Sequence, residues 1–434
     1  MKRVIEFLKR QPSGHLIPLG FATVILIGTL LLFLPISANP GKSTGLLDAL
    51  FTSTSAVCVT GLVVVDTAEQ YSVFGRTVIA LLIQVGGLGV ASVGVGIMLV
   101  AGKKLGMKSV TLFKESINSG GMKGALKMVK AVLITTLIFE GAGAILSYPS
   151  FLKHYDPVSA VGVSVFHSIA SFNNAGFDII GGFQNMIPYS EDVLLNVVTA
   201  LLIIFGGLGF LVIVDVCKKR RFKTLTLHSK VVISTTLFLI VFGTLALKGT
   251  EKMGWMEAAF QSVSARTAGF CTLPIGELKD AGLFILVILM FIGASPGSTG
   301  GGIKTSTFFT LIQSAKSIIT KKHTAAFHRS IGQEAVTRAY NIAFLSGVVV
   351  CTGTFLLSIL EPEYTFMQNL FEVTSAFGTV GLSTGITPDL CGAAKVVIIL
   401  IMFIGRVGAF SLLSGWINRP TPNVRYLEEH IAIG

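Results

Sequence analysis

The chain has 434 residues, of which 52% are hydrophobic and only 13% charged. A soluble domain carries about 25% charged residues, so this composition excludes an ordinary soluble fold. The net charge of +12 does not indicate a nucleic-acid binder, because the basic residues stand in blocks between apolar runs.

In chain order, the start MKRVIEFLKRQPSG lacks a signal peptide's apolar core and cleavage site. The uncharged run 16–36 that follows is therefore expected to remain as a membrane span. Further long apolar runs predict spans over 73–101, 128–148, 192–216, 230–248, 281–320, 339–360 and 394–416. Basic blocks fall at Lys2, Arg3, Lys9 and Arg10, then at Lys103, Lys104, Lys108, Lys114, Lys123 and Lys127. Two more follow, at Lys218, Lys219, Arg220, Arg221 and Lys223, and at Lys316, Lys321, Lys322 and Arg329. Acidic residues such as Asp66, Glu69, Asp156, Glu191, Glu277, Glu361 and Asp389 occupy the alternate intervals. That alternation follows the positive-inside rule and predicts both termini in the cytoplasm. The five cysteines are scattered and contain no CxxC, so neither a disulfide framework nor a zinc site is expected.

The same order recurs four times: a long apolar run, a short amphipathic stretch, a glycine-containing turn and a second long run. The short stretches are 46–57, 164–173, 255–265 and 366–377, too brief to cross a bilayer. Each carries a phenylalanine about ten residues before a glycine: Phe51 and Gly61, Phe166 and Gly176, Phe260 and Gly269, Phe371 and Gly381. The third interval is one residue shorter. The expected units are 1–105, 106–222, 223–325 and 326–418, with a tail over 419–434.

The four turns read VCVTGLVV, FNNAGFDI, ARTAGFCT and FGTVGLST. Irregular backbone at membrane depth is tolerated only where it is buried or lines a cavity. Glycine allows successive carbonyls to face one axis, and carbonyl oxygens can replace a cation's hydration shell. A single such turn reads most simply as a helix end with a C-cap glycine. Four in register favour one shared pore.

These turns and their spacing resemble the Trk/Ktr/HKT superfamily of potassium transporters, and within it the KtrB-type membrane subunits. The resemblance covers nearly the whole chain. It implies an all-α membrane protein of four tandem helix–pore helix–filter loop–helix repeats around a pseudo-fourfold pore. It also implies that Val59, Thr60, Gly61, Asn174, Ala175, Gly176, Thr267, Ala268, Gly269, Thr379, Val380 and Gly381 form the potassium filter. Only GTVGL, at 378–382, approaches the TVGYG of potassium channels, without its Tyr and last Gly. Some plant relatives that prefer sodium carry Ser at the first filter position; Gly61 here favours potassium.

The stretch GASPGSTGGGIKTS, 293–306, interrupts a span and nearly matches a phosphate loop, but Lys304 arrives one place late and no strand precedes it. In the family this segment is an intramembrane gate, which assigns Gly297, Gly300, Gly301, Gly302 and Lys304 to it. Family members have an arginine at the position of Arg406 that meets the gate. The resemblance further implies a homodimer with one pore per subunit and a cytosolic KtrA-type nucleotide-binding ring, with no nucleotide on this chain. The tail 418–434 is a candidate for packing at the dimer interface. The basic links at 218–223 and 321–329 read equally as docking surfaces or as lipid anchors.

Other features stay open at this level. Glu140 lies mid-span, as a packing contact or a functional group. Arg266 is expected to point behind the filter and pair with a carboxylate such as Glu372 or Asp178. The motifs QVGGLGV and IFGGLGF are expected to permit close helix approach. A secondary transporter of another solute would use inverted repeats, whereas here every repeat starts from the same side. An intramembrane enzyme is disfavoured, because Ser295, Ser298 and the His167–Ser168 pair lack a base oriented by an acidic residue.

Overall fold

A computed structural model describes residues 13–90, 92–93, 125–321 and 323–408. The basic block from Lys103 to Lys123, the first ten residues, Lys322 and the tail 419–434 lie outside the described residues. The helices are α1 (Ser13–Phe33), α2 (Leu46–Cys58), α3 (Val73–Leu88), α4 (Ala125–Phe151), α5 (Pro157–Phe172), α6 (Val193–Leu208) and α7 (Phe210–Lys219). They continue as α8 (Leu227–Thr250), α9 (Trp255–Ser264), α10 (Asp280–Phe291), α11 (Thr305–Thr320), α12 (Gln333–Leu360), α13 (Phe366–Gly378) and α14 (Gly392–Val407). A two-strand hairpin, Ala325–Ala326 with Arg329–Ser330, joins α11 to α12.

Among the described residues four helices, α1, α4, α8 and α12, are long and apolar enough to cross a bilayer. Their outer faces present Leu30, Leu137, Phe238 and Phe344. The short helices α2, α5, α9 and α13 lie toward the centre, and in α2 the hydroxyl-bearing residues lie inward: Thr52, Ser53, Thr54 and Ser55 are all 1% exposed or less, against 63% for Leu30. This polarity is inverted relative to a soluble protein, as lipid outside and a polar axis inside require.

Each short helix docks on the long helix before it in a similar way. Ser53 donates to the Ile25 carbonyl at 2.7 Å, Ser168 to Glu140 O at 2.6 Å and Ser262 to Ile240 O at 2.8 Å. Opposite them stand Gly28, Gly143 and Gly243, where a Cβ would collide with the serine. In the fourth case Gly353 faces Val373 and Ile401 instead.

The second apolar helix of each group departs from the expected spans. α3, α6 and α14 have 16 residues each and α10 has 12. At 1.5 Å per residue, 16 residues cover about 24 Å, short of a ~30 Å hydrocarbon core. Gly89, Gly209 and Gly408 end three of them at φ of 81°, 87° and 91°. After Gly209 the chain bends by 95° into α7. The expected continuous span 192–216 is therefore broken, because a left-handed glycine interrupts an apolar run that hydropathy alone reads as unbroken, whereas 281–320 is interrupted between α10 and α11 where the stretch 293–306 was expected to break it. Residues 94–101 and 409–416 of the other two lie outside the described residues.

Candidate functional site

Each short helix runs directly into its turn, so its partly negative C-terminal end adjoins that turn. Helix starts are secured on the far side. Asp156 caps α5, and the Ser159 hydroxyl with the Ser159 and Val158 amides holds the Asp156 carboxyl below its ordinary pKa range. Thr365 and Gln368 form a capping box on α13.

All four turns share one backbone pattern. A non-glycine residue takes positive φ two places before the glycine: Val59 at 58°, Asn174 at 57°, Thr267 at 102° and Thr379 at 50°. The glycines follow at 93°, 68°, 77° and 95°. Thr267 is the outlier, in the turn whose sequence is one residue shorter. There Ala268 N bonds Ser264 O, four residues back, whereas Thr60, Ala175 and Val380 each bond five residues back.

The turns meet in a closed ring. A Cβ built on Gly61 would lie 2.9 Å from Gly176 Cα, on Gly176 3.1 Å from Gly269 Cα, on Gly269 3.0 Å from Gly381 Cα, and on Gly381 2.9 Å from Gly61 Cα. At each step the nearest atom is the neighbouring turn's carbonyl oxygen: Ala175, Ala268, Val380 and Thr60 in that order. All four residues are fully buried. Among the described residues no donor bonds these four oxygens. Such carbonyls are expensive in a dry interior unless something else solvates them. Hydroxyls brace the ring from behind, with Ser55 accepting from Gly61 N at 3.0 Å and Ser375 from Gly381 N at 3.1 Å.

On one side of the ring lies a cavity of about 410 Å³ that all four glycines line, together with Asp66, Asp178 and Asp389. No group of three or more His, Cys, Asp or Glu residues suited to a metal ion occurs among the described residues.

On the other side the loop 292–304 passes under three turns. Thr299 donates to Asn174 Oδ1 at 3.3 Å, a Cβ on Gly300 would meet Thr267, and Gly301 N donates to Thr379 Oγ1 at 2.9 Å. Ser295 N bonds Gly207 O at 3.1 Å and Phe210 N bonds Gly297 O at 3.1 Å, tying the loop to the α6–α7 bend. Gly297 and Gly302 have φ of 71° and 67°. Lys304 folds back on the loop, donating to Gly300 O at 2.7 Å and Gly301 O at 3.2 Å. Arg406 donates to Thr299 O and Gly86 O, joining loop, α3 and α14. All residues singled out for filter and gate thus stand in one axial column. The loop has no phosphate-loop context, since helix α10 precedes it and only an isolated Ile292–Ile303 bridge closes it.

One expectation needs correction. Arg266 pairs with neither Glu372 nor Asp178; its Nη2 donates to Thr236 Oγ1 at 3.5 Å. Glu372 is instead enclosed by hydroxyls, accepting from Ser383 Oγ at 2.6 Å, Thr384 N at 2.8 Å and Thr387 Oγ1 at 2.8 Å. The double-glycine motifs permit close helix approach, as expected. Gly86 and Gly206 admit the carbonyls of Val57 and Phe172, and Gly405 admits that of Phe377, so the ends of α2, α5 and α13 seat against them.

The Glu372 cage carries a prediction. It anchors the segment 383–387, from which Ser383, Gly385 and Thr387 line the cavity. Glu372→Ala strips those donors of their acceptor and is expected to destabilise the fold by about 3 kcal/mol. A lowered melting temperature of the detergent-solubilised protein checks this; an unchanged one would show that the cage is dispensable.

By architecture this is a multi-pass helical membrane protein in which short buried helices deliver four turns to one ring. A family model described as TrkH, cation transport protein, matches residues 20–248 and 218–423. The Ktr system potassium uptake protein B of Bacillus subtilis (strain 168) is 38% identical, over 100% of this chain and 99% of that protein. The potassium/sodium uptake protein NtpJ of Enterococcus hirae is also 38% identical, over 98% of each chain. The crystal structure of the potassium transporter TrkH from Vibrio parahaemolyticus matches with a TM-score of 0.70 at 21% identity, covering 93% of this chain and 85% of that one; at that identity it speaks for the fold. The chain belongs to the TrkH family of cation transport proteins. That membership places it among ion transporters and not among enzymes.

Proposed function

We propose that this chain takes up potassium across the cell membrane through the ring of turns. The observation that carries the reading is the set of four buried carbonyls, on Thr60, Ala175, Ala268 and Val380, that meet no donor among the described residues. Oxygens so arranged replace the hydration shell of a monovalent cation. Val59, Thr60 and Gly61, with their counterparts at 174–176, 267–269 and 379–381, form the filter, and K+ is the cargo. The loop with Gly297, Gly300, Gly301, Gly302 and Lys304, latched by Arg406, is the gate. The units 1–105, 106–222, 223–325 and 326–418 each supply a quarter of the pore.

Both termini face the cytoplasm in this reading, on the strength of the charge alternation. The Ktr system names of relatives support a partner component, which we take to be a cytosolic KtrA-type nucleotide-binding ring. The working unit is a homodimer with one pore per subunit. A second reading, sodium permeation, is favoured by the potassium/sodium name of the Enterococcus relative and by three turns that depart from TVGYG.

Uptake by a potassium-uptake-deficient strain expressing the chain with a KtrA-type partner tests the proposal. Growth at limiting potassium and isotope uptake that excess sodium barely inhibits are expected. Equal inhibition by sodium would favour the second reading, and absence of cation uptake would overturn both.

A further inference from the structure

The residue just before the positive-φ position differs in each turn: Cys58, Asn173, Arg266 and Gly378. Asn173 alone among them bonds a carboxylate within the described residues. Its Nδ2 donates to Glu140 Oε1 at 2.8 Å and to Gln84 Oε1 at 3.0 Å, while Gln84 Nε2 donates to Glu140 Oε2 at 3.2 Å. The three side chains close a triangle across α3, α4 and the end of α5.

We infer that Glu140 is a positioning residue for the second filter turn, acting through Asn173. This rests on the reading of the ring as the filter. The Asn173 Nδ2 also reaches Ile169 O at 2.9 Å, so three acceptors surround one amide nitrogen. Flipping the amide would set its oxygen against three oxygens, so the acceptor pattern fixes which way Asn173 faces. On the opposite side the Asn173 Oδ1 lies where Gly87 leaves room for no Cβ. One residue on, Asn174 takes φ of 57° and its Nδ2 donates to Thr267 Oγ1 at 2.9 Å, linking the second turn to the third. Rotation of Asn173 would therefore be passed to the Ala175 carbonyl and across to the third turn. A space-filling contact would need only the volume of Glu140. Here both of its oxygens accept, and a carboxylate at this depth is costly to keep.

The donor–acceptor pattern supplies a test. Glu140→Gln leaves one like pair of groups face to face in the triangle. The double variant Glu140→Gln with Gln84→Glu exchanges the two partners and restores every bond, since Asn173 then donates to both and the new amide donates to the new carboxylate. Potassium and sodium uptake would be measured in the deficient strain with the full chain and its partner, normalised to membrane-inserted protein. Glu140→Gln is expected to lower the K+/Na+ uptake ratio about fivefold, the size of one net hydrogen bond, with the KM for potassium raised. The double variant should recover the ratio. If Glu140→Gln does not insert, recovery of insertion and of the ratio by the double variant supports the proposal equally. A wild-type ratio in Glu140→Gln, or a double variant as impaired as the single one, overturns it. Gly381→Ser run alongside separates the two claims. If it loses discrimination while the Glu140 variants keep theirs, only this inference fails. If it too keeps discrimination, the filter reading fails.

Discussion

Gly381→Ser is expected to cut discrimination between potassium and sodium about tenfold, the equivalent of ~1.4 kcal/mol. Two costs act together. Gly381 sits at φ of 95°, where an L-residue costs about 1–2 kcal/mol. A Cβ there would also lie 2.9 Å from Gly61 Cα and closer still to Thr60 O. Backbone cannot swing aside as a side-chain end can, so the Thr60 carbonyl must move. Displacing one of four solvating oxygens weakens binding of the better-fitted ion more than that of its competitor. Gly61→Ser meets the same geometry against Ala175 and Gly176 and should behave alike. Gly41→Asn is the control. Gly41 has φ of 78° with nothing within 4 Å of a Cβ, so backbone strain there leaves the ring untouched and the ratio unchanged. Competitive isotope uptake measures all three, and an intact potassium preference in both serine variants would remove the ring as the selective element.

Arg406→Ala should raise potassium flux under closed conditions, with the proposed KtrA-type partner in its inhibitory nucleotide state, by about tenfold or more. The guanidinium bonds Thr299 O on the loop and Gly86 O on α3, and it lies over the Phe21 ring at 5.9 Å. Hydrogen bonds to a charged group contribute about 1.5–3 kcal/mol each, and alanine removes both. The loop then keeps its contacts to Asn174, Thr379 and the α6–α7 bend but loses its tie to α3 and α14. Arg406→Lys should fall between, because one ammonium lacks the fork that spans two carbonyls. Flux assays in proteoliposomes with the partner bound check this. A closed-state flux equal to wild type in Arg406→Ala would show that the latch lies elsewhere.

Much of the column was legible in the chain itself. Glycines at 61, 176, 269 and 381, each following a short polar-and-apolar stretch, mark backbone that a β-carbon would obstruct. The structure adds the reason, since each glycine abuts the next turn's carbonyl. The one-residue shortening before Gly269 was also readable, and it surfaces as the aberrant φ of Thr267. Span lengths were not readable. Hydropathy runs on through Gly89 and Gly209, and a sign change in φ leaves no trace in composition. The partner of Arg266 was equally hidden, because pairing depends on distance, and Arg266 bonds a threonine while Glu372 accepts from the hydroxyls of Ser383 and Thr387.

Sequence alone determined that the chain lives in lipid, that one order of elements recurs four times, and which glycines and polar residues interrupt the apolar runs. Periodicity and charge are local properties that a linear chain carries in full. Tertiary structure alone decided that the turns close into a ring, that loop 292–304 lies beneath them, and that Gln84, Glu140 and Asn173 meet. These depend on residues up to 320 positions apart, as Gly86 and Arg406 are, and only packing brings such residues within hydrogen-bond reach.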